Sequence, residues 1–246
     1  MQGALDRYKG HCLALFLDLD GTLIDIAQRP DLVRPPDDLA PLLRRIADSL
    51  GGAIAILSGR PISDIDALTA PLRLPAAGVH GVERRREPDG AIVVHAPPVP
   101  MEILAEVRRF VGVRKGLIVE PKTYAIAVHY REAPEQAAWL EAGLRVILAQ
   151  HPRDYVLAEG RRVFEIAPRA ASKGAALAEF MQGPPFAGRR PIMIGDDATD
   201  ETAIAAALRL GGEGLKVAGE HFAAENSQFA NPAEVFAWLR ALADGG

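Results

Sequence analysis

The chain is short of the features that mark secreted, membrane and nucleic-acid-binding proteins. It has one cysteine, Cys12, among 246 residues. A disulfide framework is therefore excluded, and the apolar neighbours of Cys12 make it a small core residue in a reduced compartment. It has no long hydrophobic run. Met1–Gly10 carries charge, and Cys12–Leu17 is too short for a signal or membrane segment and ends in Asp18. It has no excess of positive charge. A formal net charge of −4 argues against nucleic acid as the main partner, so a phosphate-bearing substrate would need a few local cations or a metal. It has neither an internal repeat nor a low-complexity tract. The expectation is a cytoplasmic protein without a membrane or nucleic-acid partner.

What remains is ordinary globular composition, 49% hydrophobic and 24% charged. The length fits one large domain or two small ones. Cys12–Leu17 is apolar without alternation, as expected of a strand covered on both faces of a parallel sheet. It leads into a loop with Gln28, Pro30 and Asp31. Pro35-Pro36-Asp37-Asp38 then opens a helix whose apolar face is Leu39, Leu42, Leu43 and Ile46, and Gly51-Gly52 closes it. Ala53–Leu57 is a second buried strand, and Pro61 stands as the first helical residue of Pro61–Leu68. A third strand, Ala76–Val79, ends in His80-Gly81, and Asp89-Gly90 marks a hairpin turn. This β-α-β-α-β order predicts a parallel sheet.

Pro97, Pro98 and Pro100 mark a change. A helix (Met101–Val111) and two strands (Leu117–Glu120, Thr123–Tyr130) follow. The second strand alternates, with Ala125, Ala127 and His129 on one side and Ile126, Val128 and Tyr130 on the other. A helix over Pro134–Gln150 presents Ala138, Leu140, Leu144, Ile147 and Leu148. Strands Tyr155–Ala158 and Arg162–Ile166 complete an α+β module over 99–168, inserted in an α/β core of 1–98 and 169–246. The βα pattern then resumes. A helix opens at Ser172-Lys173-Gly174, and strand Pro191–Ile194 ends in Gly195-Asp196-Asp197-Ala198-Thr199-Asp200-Glu201. A helix through Leu208, strand Leu215–Ala218 and a last helix capped by Asn231-Pro232 finish the chain.

Three buried strands thus end in polar clusters: Asp18/Asp20, Ser58-Gly59-Arg60 and Asp196/Asp197/Asp200. Lys173 stands at a helix start. In a parallel sheet such strand ends share one edge, where ligands bind. Asp18 and Asp196 are hard oxygen ligands suited to Mg²⁺, and a cation would relieve the crowding of like charge. Ser58 and nearby backbone N–H groups can hold phosphoryl oxygens, and Lys173 adds positive charge. A carboxylate can attack phosphorus, and the second Asp of the pair can act as acid and then as base.

These residues resemble the four motifs of the haloacid dehalogenase (HAD) superfamily: DLDGT at 18–22, Ser58, Lys173 and GDDATD at 195–200. The resemblance implies a Rossmannoid α/β core with an inserted α+β cap that selects substrate. It implies Asp18 as nucleophile and Asp20 as acid/base. It implies Mg²⁺ held by Asp18, the Asp20 main-chain carbonyl and Asp196, with Asp197 and Asp200 orienting metal waters and Lys173 from behind.

A narrower set of strings is similar to trehalose-6-phosphate phosphatases. These are LSGR at 57–60, GVHG at 78–81, Glu120-Pro121-Lys122, HYR at 129–131, Glu165 with Pro168, Lys173-Gly174 and GDDATDE at 195–201. Several members of that family carry a basic residue before the proline at 168, where this chain has Ala167. The implied substrate is trehalose 6-phosphate, with a functional link to a trehalose-phosphate synthase. A polyhydroxylated sugar needs charged hydrogen-bonding groups, and Glu120, Lys122, His129, Arg131 and Glu165 are such groups. For His129 and Arg131, and equally for Glu120 and Glu165 taken alone, the alternative is a half-solvated strand face. Arg60 is either a surface ion pair or a contact between cap and core, and His80 either a satisfied turn histidine or a rim group. Two other functions stay open: a phosphatase for another sugar phosphate (sucrose-phosphate or mannosylglycerate type), and a non-catalytic sugar-phosphate sensor.

Overall fold

A computed structural model describes residues 12–26, 34–151, 154–160, 162–169 and 172–244. The readings made for Met1–Gly10 and for the loop with Gln28, Pro30 and Asp31 lie outside the described residues. The chain divides into two compact units, Met1–Val93 with Ser172–Gly246, and Val94–Ala171.

In chain order, the first unit begins with β1 (Leu13–Leu17), α1 (Leu39–Ser49), β2 (Ile54–Leu57), α2 (Ile62–Thr69), β3 (Ala76–Gly78) and β4 (Glu83–Arg85), followed by β5 (Val93–Val94). The second unit holds α3 (Met101–Val111), β6 (Ile118–Pro121), β7 (Ile126–His129), α4 (Ala137–Leu148), β8 (Tyr155–Gly160) and β9 (Val163–Pro168). The first unit resumes with α5 (Lys173–Phe180), β10 (Arg190–Gly195), α6 (Glu201–Arg209), β11 (Glu213–Lys216) and α7 (Pro232–Asp244).

Seven strands form one sheet in the order β11-β10-β1-β2-β3-β4-β5. The five strands from β11 to β3 run parallel, and β4 is antiparallel to β3. The all-apolar runs of β1, β2 and β10 follow from burial on both faces. Leu13, Leu15 and Leu17 of β1 pack with α1 and α7, while Ala14 and Phe16 pack with α5 and α6. Leu39, Leu42, Leu43 and Ile46 of α1 are all buried, each worth about 1.5–3 kcal/mol.

Several local expectations need correction. Cys12 is exposed. It lies one residue before β1, where its carbonyl accepts from Arg190 N–H at 2.9 Å, and the sheet's cover has not yet begun. Pro61 is the N-cap of α2 instead of its first helical residue, with an extended ψ of 151°. The helix read over Pro134–Gln150 starts as a 3₁₀ turn, Pro134–Gln136, and Ala138 is exposed.

The second unit is a four-stranded antiparallel sheet in the order β6-β7-β9-β8. Ile126, Val128, Tyr130, Phe164 and Ile166 pack against apolar residues of α3 and α4. A Cβ at Gly143 would lie 1.8 Å from Phe110 Cζ, so only glycine lets the ring approach α4 this closely. The opposite sheet face therefore carries the alternate residues, Glu120, Ala127, His129 and Glu165.

Candidate active site

The parallel sheet of the first unit brings the strand ends after β1, β2 and β10 to one edge. Asp18 follows β1, and its N–H donates to Ile194 O of neighbouring β10 at 2.9 Å. Its carboxylate is buried and accepts from Lys173 Nζ at 2.6 Å. Lys173, the first residue of α5, is equally buried and also donates to Asp200 Oδ1 at 2.7 Å. Ser172 caps that helix, its Oγ accepting from the N–H groups of Gly174 and Ala175.

Asp200 is fully buried, and its second oxygen accepts from the N–H groups of Asp196 and Asp197 at 3.0 and 3.1 Å. Both of its oxygens are committed to shaping the loop and fixing the lysine. Asp197 caps the 3₁₀ turn that follows, accepting from Thr199 N–H and Oγ1–H at 2.8 and 2.7 Å. Asp196 Oδ1 accepts from Thr22 Oγ1 at 3.4 Å.

Gly21 makes the Asp196 approach possible. It has φ +88°, and a Cβ there would lie 2.1 Å from Asp196 Oδ2. Gly21 and Thr22 both belong to the DLDGT string at 18–22.

Oxygens of Asp18, Asp196 and Asp200 lie within 4.8 Å of one another. Burial, with the neighbouring carboxylates, pushes Asp18 and Asp200 up to about 8 and Asp196 to about 7, against the pull of Lys173. Lys173 goes well above its usual value, because Asp18 and Asp200 outweigh its desolvation. Asp197 falls below the usual carboxylate range: burial opposes this, but Lys173, Thr199 and His80 prevail. One ammonium cannot neutralise this group of carboxylates. Its all-oxygen donor set and surplus negative charge fit a hard divalent cation.

Ser58 is buried after β2, and its Oγ accepts from Arg60 N–H at 3.1 Å. The Arg60 side chain turns to Asp20 and grips both carboxylate oxygens at 2.6 and 2.7 Å. Asp20 therefore faces Arg60, while Asp18, two residues earlier, faces Lys173. His80 lies in a tight turn after β3, with its ring over Gly59.

In the second unit, Glu120, Lys122, His129 and Glu165 gather on the sheet face away from the helices. Lys122 Nζ donates to Glu165 Oε2 at 3.0 Å, and His129 Nε2 lies 2.7 Å from Glu120 Oε2. Glu165 is buried and Glu120 half-exposed. Arg131 lies in the turn after β7 and is exposed.

A family model described as trehalose-phosphatase matches residues 16–236. The chain belongs to that family. It is 42% identical over 205 residues to a probable trehalose-phosphate phosphatase of Sinorhizobium fredii, covering 83% of this chain and 77% of that one. It is 39% identical over 230 residues to the trehalose-6-phosphate phosphatase of Escherichia coli, covering 93% and 86%. Among solved structures, a trehalose-6-phosphate phosphatase of Aspergillus fumigatus superposes with a TM-score of 0.70 at 25% identity, covering 98% of this chain and 96% of that one. The C-terminal domain of the Candida albicans enzyme shares the fold, with a TM-score of 0.82 at 21% identity over 99% and 96%. Among the described residues no helix is long and apolar enough to cross a membrane.

Proposed function

We propose that this chain hydrolyses trehalose 6-phosphate to trehalose and phosphate through an aspartyl phosphate on Asp18. The observation that carries the reading is the buried Asp18 carboxylate at the end of β1, held at 2.6 Å by Lys173 and grouped with Asp196 and Asp200. Family membership supports the same substrate.

Asp18 attacks phosphorus, and the bond from phosphorus to the sugar oxygen breaks. Asp20 gives its proton to the departing oxygen. It then takes a proton from water, which attacks the aspartyl phosphate, breaks the bond from phosphorus to Asp18 and releases phosphate. Ser58 and backbone N–H groups beside it hold phosphoryl oxygens, and Lys173 neutralises charge on Asp18 and the phosphoryl group. Asp18, the Asp20 carbonyl and Asp196 would hold Mg²⁺, which would supply charge stabilisation for the phosphoryl oxygens. Asp197 and Asp200 hold the loop and the lysine in place.

The module 99–168 acts as the substrate-selecting cap. Glu120, Lys122, His129 and Glu165 on one sheet face, with Arg131 beside it, read the sugar hydroxyls. The same reading makes the chain a cytoplasmic enzyme functionally linked to a trehalose-phosphate synthase, the class of enzyme that forms its substrate.

The test is phosphate release from trehalose 6-phosphate with and without Mg²⁺, in the parent and in Asp18→Asn. The parent should turn over only with the metal and should form a hydroxylamine-sensitive phosphoenzyme. The variant should lose both. Near-parent activity of Asp18→Asn would overturn the assignment.

A further inference from the structure

The connection from β3 to β4 is held in an unusual conformation. Val79 and His80 both have positive φ, 48° and 54°. Two consecutive non-glycine residues there are uncommon, and a β-branched valine is an outlier. Such strain persists where the surroundings over-determine it, and it gathers at functional sites.

The surroundings here belong to two of the segments that build the site. Val79 N–H donates to Arg60 O at 2.9 Å, and His80 N–H donates to Ser58 O at 3.0 Å. Gly81, with φ +102°, backs onto Ser172 so closely that a Cβ would lie 2.6 Å from Ser172 O. The turn therefore sits between the loop that carries Ser58 and the start of the helix that carries Lys173. The half-buried imidazole fills the space beside Gly59: a Cβ on Gly59 would lie 2.6 Å from His80 Cε1 and 2.8 Å from Nε2.

We propose that His80 is a positioning residue for phosphoryl transfer, its ring bracing Gly59 so that Ser58 meets the transferred group at the right distance. This rests on the reading of Ser58 as a phosphoryl-holding group. The two backbone bonds fix the height of the loop and the ring fixes its tilt. A brace acting through Ser58 touches only what all substrates share, the phosphoryl group. Its loss should therefore slow every phosphate ester alike. A histidine that contacts the sugar would instead matter only for the sugar ester.

The test uses two variants that disturb the contact from opposite sides. His80→Asn keeps a residue type that accepts the left-handed backbone but removes the ring. Gly59→Ala keeps the imidazole and forces it away. Both variants and the double variant are assayed with Mg²⁺ on trehalose 6-phosphate and on p-nitrophenyl phosphate, and the binding of inorganic phosphate is measured by calorimetry. Each single change should lower kcat about ten- to a hundredfold on both esters, with KM moved less than about threefold and phosphate bound more weakly. The double variant should be no slower than the slower single, because both remove one contact.

Parent-like kcat in His80→Asn would overturn the proposal. So would losses that multiply in the double variant, or a loss confined to trehalose 6-phosphate. If His80→Asn does not fold, Gly59→Ala carries the same comparison. If the parent hydrolyses neither ester, the functional reading fails on its own. Phosphate binding then still decides: weaker binding in both variants supports the brace, and unchanged binding overturns it.

Discussion

Arg60 occupies both carboxylate oxygens of Asp20, Nε donating to Oδ2 at 2.6 Å and Nη2 to Oδ1 at 2.7 Å. A planar guanidinium fork fixes the direction of the carboxylate as well as its charge. If Asp20 protonates the leaving oxygen, Arg60 acts through it and its removal should be felt where the leaving group needs a proton. Arg60→Ala is expected to lower kcat/KM for trehalose 6-phosphate about ten- to a hundredfold and to affect p-nitrophenyl phosphate much less, since nitrophenolate departs unaided. Arg60→Lys should recover only part, because an ammonium has no fork. In an Asp20→Asn background, Arg60→Ala should add little. Equal losses on the two esters, or full additivity with Asp20→Asn, would show that Arg60 does not work through Asp20.

The acidic cluster makes stability depend jointly on pH and metal. Asp18 and Asp200 are raised to about 8 and Asp196 to about 7 by burial and mutual repulsion. A raised carboxylate binds its proton more tightly folded than unfolded. Stability from this source is therefore present at low pH and is lost as pH rises from the unfolded value, about 4, through the folded values. In EDTA the melting temperature should fall between about pH 5 and pH 8. Mg²⁺ should raise it, and more at pH 8 than at pH 5, because the cation needs ionised ligands. A metal-induced shift that is equal at the two pH values would contradict this.

On the sheet of the second unit, the charged groups pair with one another, Lys122 with Glu165 and His129 with Glu120. If they read sugar hydroxyls, Glu120→Ala and Lys122→Ala should each lower kcat/KM for trehalose 6-phosphate about ten- to a hundredfold. p-Nitrophenyl phosphate should be much less affected, since binding energy from the remote sugar is absent there. Parallel losses on both esters would assign these residues to folding or chemistry.

Away from the site, Arg85 is fully buried and forks onto Asp66 at 2.6 Å on both arms, with Leu74 O as a further acceptor at 2.8 Å. Burial pushes Asp66 up, but Arg85 and Arg73 bring it below its usual value. The contribution of this lowered carboxylate to stability is present above the unfolded pKa and is lost as pH falls through the folded one. Asp66→Asn should cost about 3 kcal/mol at neutral pH by leaving a buried guanidinium without its counter-charge. The gap between parent and variant should narrow at acid pH, as the folded carboxylate takes up its proton. Urea unfolding at neutral and at acid pH measures both, and an equal gap at each would contradict the electrostatic account.

The alternation of apolar strands and amphipathic helices was legible because burial writes itself locally: Leu39, Leu42, Leu43 and Ile46 mark one helix face. The site was legible because strand ends in a parallel sheet converge whatever the loops do. Long-range partners were not. Arg60 and Asp20 are separated by 40 positions, and nothing in either segment names the other. The Arg85 pair likewise looks, in sequence, like ordinary surface charge in the run Glu83-Arg84-Arg85-Arg86. The exposures of Cys12 and Ala138 were misread because an apolar neighbourhood does not say where a sheet or helix stops being covered. The left-handed turn at Val79 and His80 has no local signal at all, since valine argues against it.

The first unit is discontinuous in the chain, and an order of assembly is expected to follow from this. β1 pairs with β10, Leu13 beside Arg190, across the whole of the second unit. Closing that pair confines a very long loop, whereas the second unit is contiguous and buries its own apolar cluster from nearby segments. Once folded, it replaces a floppy loop by a body of fixed span and so lowers the entropy lost when β10 finds β1. Until β10 is in place, one edge of β1 lacks its partner strand. Pulse-labelled hydrogen exchange during refolding should find amides of β7 and β9 protected before those of β1 and β10. The reverse order would mean that the split sheet assembles without help from the segment inserted in it.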